Sequence, residues 1–178
     1  MTFQIRYYVL ELCEASLEKL FLKEEDPHKY RGPMPSENQI FLQLAKGLAY
    51  IHDMELIHQN LKPENVLISV RSDKKEVTMK WADFGLSKSV NERGTHAMTS
   101  GIKGTHDWYA PEILKLLNED NLTENDEKKR GTVKSDVFAE GLVFGYYLFG
   151  GKHPYGPKHQ IMQNILGNNP VNLNGKYN

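Results

Sequence analysis

His58-Gln59-Asn60-Leu61-Lys62-Pro63-Glu64-Asn65, followed at a distance by Asp83-Phe84-Gly85, is the stretch on which the reading of this chain turns. Between the two lie residues 65–69 (NVLIS) and 76–81 (EVTMKW), on either side of a polar turn at residues 71–75. Both runs are rich in β-branched and apolar residues, and the pattern predicts a pair of short strands. Asn65 stands at one edge of that pair and Asp83 at the other, so a hairpin would bring both to one mouth. A lone Asn or a lone Asp-Phe-Gly would be read as a turn. Together and in this order, with Lys62 between them and Ala110-Pro111-Glu112 further on, they mark a candidate site.

Outward from this point the chain divides into short elements. Residues 5–12 (IRYYVLEL) predict a strand. Residues 15–22 predict a short helix with Leu17, Leu20 and Phe21 on one face. Residues 23–35 hold charges, Gly32 and prolines at 27, 33 and 35, and read as a loop. Ser36 with Gln39 three residues on makes a capping box. The helix it starts carries Ile40, Phe41, Leu44, Leu48 and Ile51 at helical spacing and should end near His52.

Beyond the hairpin, residues 87–106 are rich in Ser, Thr and Gly and read as a long loop. A helix is predicted over residues 111–117, with Pro111 in its first turn, where a missing N–H costs nothing. The stretch NEDNLTENDEKKRG that follows reads as a solvated insertion. Residues 137–149 (VFAEGLVFGYYLF) are apolar nearly all round, the pattern of a buried central helix, and too few to span a bilayer. One short helix (HQIMQNIL) and an Asn-rich tail end the chain.

Composition sets limits. The 178 residues fit one domain. A formal net charge of −1 gives no hint of a nucleic-acid or membrane-surface partner. Cys13 is the single cysteine, so an internal disulfide is impossible and a reducing, cytoplasmic setting is the simpler expectation. Charges interrupt the apolar run near Met1, unlike a secretory signal. The sequon Asn121-Leu122-Thr123 reads as a chance match. The seven histidines show no metal-ligand spacing. Trp81, Trp108 and His58 read as packed residues, and His153 as a turn residue.

The two motifs and the Ala-Pro-Glu triplet together resemble the C-terminal lobe of a eukaryotic serine/threonine protein kinase. The fold implied is mainly α-helical with short β-hairpins. The resemblance implies ATP and Mg²⁺ as cofactors and transfer of a phosphoryl group to protein hydroxyls. Asn65 and Asp83 would hold Mg²⁺, and Lys62 would reach the γ-phosphate. Thr105 would contact Lys62 and the base position. Asp136, in Ser135-Asp136-Val137-Phe138, would hydrogen-bond the backbone of the catalytic loop. Leu10-Glu11-Leu12-Cys13 resembles the hinge, where the backbone at Glu11 and Cys13 would bond adenine and Leu67 would pack on the ring.

LELCEASLEKLF, GTHDWYAPEIL and DVFAEGLVFGYYLFGGKHPYG resemble, more narrowly, the kinase part of the inositol-requiring kinase–endoribonucleases of the unfolded protein response. His58-Gln59 resembles the loop of the related oligoadenylate-dependent ribonuclease. That kinship implies autophosphorylation, a homodimer in a full-length form and a place on the cytosolic face of the endoplasmic reticulum.

The chain departs from the kinase pattern where chemistry is done. The family's catalytic base is an Asp, and Asn60 stands there. Gln59 replaces an Arg that in many kinases pairs with a loop phosphate, so Thr95, Thr99 or Ser100, if phosphorylated, would lack that charge-assisted partner. A Gly-rich loop, a strand Lys and a helix Glu are not found ahead of the hinge, nor an Arg partner for Glu112 after residue 167. The expectation is a partial kinase domain over residues 1–178: hinge and C-terminal lobe, without the N-terminal lobe, the final helices or a ribonuclease domain. Its activity is expected to be weak or absent. The alternatives are a nucleotide-sensing or scaffolding pseudokinase and a fragment with no function of its own.

Overall fold

A computed structural model describes residues 9–71, 76–91, 95–97, 105–117 and 130–173. In chain order, β1 (Ala15–Ser16) precedes a 3₁₀ turn (Leu17–Phe21), and α1 (Glu37–Asp53) leads to β2 (Leu56–Ile57). The hairpin β3 (Val66–Arg71) and β4 (Glu76–Trp81) follows, then the short strands β5 (Lys88–Ser89) and β6 (Thr95–Ala97). The remainder is α2 (Pro111–Leu117), β7 (Arg130–Thr132), α3 (Val133–Leu148) and α4 (Ile161–Leu166). This is the mainly helical, hairpin-bearing lobe the sequence led us to expect.

The capping box closes as predicted: the Ser36 backbone N–H donates to Gln39 Oε1 at 3.2 Å. From there α1 buries Ile40, Leu44, Leu48 and Ile51 on one face. Each such side chain contributes about 1.5–3 kcal/mol on burial. They meet β3 and β4, antiparallel with Val66 opposite Trp81 and Ile68 opposite Met79. The sheet order β1-β3-β4 leaves β4 at an edge. Gln43 of α1 covers that edge, donating to Val77 O at 3.3 Å and accepting from Met79 N–H at 2.8 Å. Backbone groups an edge would leave open are thereby satisfied. Trp81 Nε1 donates to Leu44 O at 3.0 Å and fixes the helix against the strand.

A second apolar cluster gathers Tyr109, Ile113, Leu114, Leu142, Tyr155, Ile161 and Ile165. The α3 helix serves both clusters, with Ala139 and Val143 in the first and Leu142 in the second. That double duty explains its all-round apolar sequence. Its outer side is still uncovered: Val137 is 54% and Leu148 38% exposed. A groove of about 470 Å³ runs there past Phe138, Gly145 and Pro154.

Several expectations need correction. Residues 9–12 form no strand, and residues 5–8 lie outside the described ones. The helix predicted over residues 15–22 is a two-residue strand and a 3₁₀ turn, because Ala15 and Ser16 pair with Ile68 and Leu67 and draw the chain into the sheet. The predicted loop at 87–106 contributes β5, which pairs with β2, and β6, which pairs with β7. The polar insertion ends in β7, its residues 118–129 lying outside the described ones. The α3 helix begins four residues before the predicted start. His153 is a buried residue rather than a simple turn position, its ring packed edge-on to Trp108 at 4.7 Å.

Candidate functional site

The hairpin positions the site. β3 starts one residue after Asn65, β4 ends two residues before Asp83, and Ala82 N–H donates to Asn65 O at 2.9 Å to seal the mouth. Asn60 then links the two sides. Its Nδ2 donates to Asp83 Oδ2 at 2.9 Å, and its carbonyl accepts from Asn65 Nδ2 at 2.7 Å. Asn65 is buried and Asp83 is exposed.

Asp83 takes a left-handed backbone conformation (φ +65°), as does Gln59 (φ +67°). An L-residue there costs roughly 1–2 kcal/mol, so something must hold it. For Asp83, its own side chain accepts from Gly85 N–H at 3.4 Å. For Gln59 the holder is Asp136, nearly fully buried on α3. Its Oδ1 accepts the Gln59 N–H at 2.9 Å and its Oδ2 the His58 N–H at 2.7 Å.

His58 is fully buried and works as a strut. Its Nδ1 accepts from Asn60 N–H at 3.3 Å, so Nε2 carries the hydrogen toward Ala82 O, 3.0 Å away. Burial pushes its imidazole below the usual range and keeps it neutral. The Phe84 ring lies 4.9 Å from it, tying the two motifs together.

Lys62 Nζ donates to Thr105 Oγ1 at 3.0 Å, so these two predicted partners are brought together. Of the hinge candidates, Leu67 is on β3, while Glu11 and Cys13 lie in the segment ahead of β1. The Glu11 carboxylate accepts from Ser69 Oγ and Lys80 Nζ, and the Lys80 contact holds it below its ordinary range. Burial pushes the Cys13 thiol up. Leu67 is half-buried on β3, opposite Ser16 and Lys80. Glu112 accepts from Ser135 Oγ at 3.1 Å, a partner the sequence reading did not foresee.

Two further residues escaped that reading. His52 Nε2 lies 3.0 Å from Asp136 Oδ2, and Glu140 is buried one turn along α3. A Glu inside an otherwise apolar helix was the available signal for the second; nothing in the local pattern marked the first.

The oxygens at the mouth suit a hard divalent cation. Asp83 offers a carboxylate, and with Nδ2 of Asn65 committed to Asn60, its Oδ1 is the atom that can ligate. One carboxylate and one amide oxygen match Mg²⁺, which keeps several waters and takes its remaining ligands from phosphates. The described residues contain no group of three or more His, Cys, Asp or Glu fit to hold a metal unaided. No described helix is long and apolar enough to cross a membrane.

Residues 2–174 match the family model of the protein kinase domain. The human serine/threonine-protein kinase/endoribonuclease IRE2 is 38% identical over 168 residues, 94% of this chain and 17% of that protein. The sensor for unfolded proteins in the ER of Schizosaccharomyces pombe is 33% identical over 93% of the chain and 16% of its own length. The kinase/endoribonuclease ire-1 of Caenorhabditis elegans is 32% identical over 98% of the chain and 16% of its own length. The chain thus spans about one sixth of the length of these relatives.

Proposed function

Because the chain belongs to the protein kinase family, we propose that it forms the Mg²⁺–ATP-binding side of a serine/threonine kinase site in which Asn60 holds the base's place and transfer is weak or absent. The observation that carries this reading is the bridge through Asn60, whose amide reaches Asp83 while its carbonyl holds Asn65. In this reading Asn65 and Asp83 hold Mg²⁺, which when bound supplies neutralising charge between phosphate oxygens. Lys62, steadied by Thr105, meets the γ-phosphate. Adenine lies along residues 11–13, against Leu67.

At neutral pH the Asn60 amide cannot take a proton. With Nδ2 given to Asp83, its Oδ1 is left to accept a hydrogen bond from a substrate hydroxyl and so to orient it. Loss of general-base catalysis is typically worth about 10²–10⁴-fold. Phosphoryl transfer relies mostly on positioning and charge, so orientation alone leaves a residual rate. The hydroxyl belongs to a protein Ser or Thr, on another chain or on a second copy of this one.

The Asn60–Asp83 hydrogen bond also favours a second reading, a nucleotide-sensing or scaffolding pseudokinase. It engages a carboxylate oxygen that would otherwise be open to metal. Calorimetric titration of the chain with Mg²⁺–ATP tests the shared premise. Binding that is lost in Lys62→Ala and in Asp83→Asn is expected; binding indifferent to both substitutions would overturn it. A phosphoryl-transfer assay on a complete kinase domain carrying this sequence then separates the two readings.

A further inference from the structure

The α1 helix is buried on one side only. On the side turned away from its buried face, Leu42, Lys46, Ala49 and Asp53 recur at steps of four, three and four, and so form one exposed line along the helix. Tyr50 flanks that line, and Met54 lies just past its C-terminal end. Leu42, Tyr50 and Met54 are each more than half exposed. Large apolar side chains gathered on one helix face are surface that association would bury.

Lys46 and Asp53 decide what fits there. Neither makes an ion pair or a side-chain hydrogen bond among the described residues. They are seven residues apart on the helix, about two turns, too far to pair with each other. They also stand at equal distances from the midpoint between Ala49 and Tyr50. A second α1 laid antiparallel across that midpoint brings Lys46 opposite Asp53 of the partner subunit, and the symmetric contact closes with it. Parallel packing would set lysine against lysine and aspartate against aspartate, an arrangement that like-charge repulsion disfavours. At the midpoint the small Ala49 lets the two backbones approach, while Tyr50 adds apolar area alongside.

We propose that this face of α1 is a self-association surface whose partner is a second copy of the chain, paired antiparallel about a two-fold axis between the Lys46–Asp53 contacts. A two-fold contact is closed, so association stops at the dimer. One helix face is smaller than the roughly 800 Å² per partner of a standard interface, so the dimer is weak, half-formed on the order of 10⁻⁴ M. In dilute solution the chain is monomeric.

The test is sedimentation velocity on the 178-residue chain between about 10⁻⁵ and about 10⁻³ M, where a monomer–dimer equilibrium is expected. Lys46→Glu and Asp53→Lys each make both symmetric contacts repulsive and should weaken dimerisation by about tenfold or more. An equimolar mixture of the two variants should regain the dimer, since every contact across it again joins opposite charges. A chain that stays monomeric throughout would overturn the proposal, as would a mixture that associates no better than its components. Association that ignores both substitutions would overturn it too, by placing the contact on another face.

Discussion

The Asn60 side-chain amide donates to Asp83 Oδ2 at 2.9 Å. An Asp at position 60 could not make this bond, since two ionised carboxylates at that separation repel unless a cation lies between them. In the proposed kinase reading, Asn60 therefore puts a pair that satisfies itself where an Asp would make a pair in need of a cation.

Asn60→Asp should have two effects. In the isolated chain it should make the melting temperature rise with added Mg²⁺ more steeply than in the unsubstituted protein. In a complete kinase domain carrying this sequence it should raise the transfer rate by about 10²–10⁴-fold. A rate that stays flat would show that the missing base is not the main defect, and an already rapid unsubstituted enzyme would end the pseudokinase reading.

Asp136 holds the loop from α3, accepting from two backbone N–H groups and lying 3.0 Å from His52 Nε2. Asp136→Asn offers one oxygen where two are used and turns an NH₂ toward a buried donor. Chemical denaturation should show a loss of about 3 kcal/mol. Asn60→Ala, which removes a more exposed bond, should cost less than about 1 kcal/mol. Similar losses in the two variants would mean that residues 58–59 are not held through α3.

Much of this was legible in the sequence, and the failures have causes. The starts of α2 and α1 follow from Pro111 and the Ser36–Gln39 box, local signals that act within one turn. The hairpin follows from two short runs rich in β-branched and apolar residues, and with it the meeting of Asn65 and Asp83 near Asn60. The strands β1, β5, β6 and β7 are two or three residues long, and their pairing depends on partners dozens of positions away. Residues 15–22 show the conflict directly: a helical stripe gives way to pairing with β3. His153 sits in a stretch of turn formers but is packed against Trp108, a tertiary contact that local pattern does not encode.

The outer side of α3 should govern solubility. Val137 and Leu148 are exposed along a groove of about 470 Å³, and contiguous apolar surface of this kind promotes association. Val137→Lys with Leu148→Glu should shift the chain toward a single monomeric species in light scattering, with little change in melting temperature. A sample of the unsubstituted chain that is already monodisperse and unfolds cooperatively would count against both this prediction and the idea of a non-functional fragment.

Two buried groups should pull stability in opposite directions with pH. Burial raises the Glu140 carboxyl from 4.5 to about 7, so the folded state holds its proton more tightly than the unfolded one. Stability from this source is complete below about pH 4.5 and is lost as pH rises to about 7, on the order of 3 kcal/mol. Burial lowers the His153 imidazole from 6.5 to about 4, which has the reverse sign. Its contribution is complete above about pH 6.5 and is lost, by a similar amount, as pH falls to about 4. In the unsubstituted chain the two slopes nearly cancel. Glu140→Gln leaves the histidine alone, so stability should rise with pH across this window, whereas His153→Phe leaves the carboxyl alone and stability should fall. Denaturation midpoints at four or five pH values decide the matter: parallel profiles for the two variants would show that neither burial perturbs titration as argued.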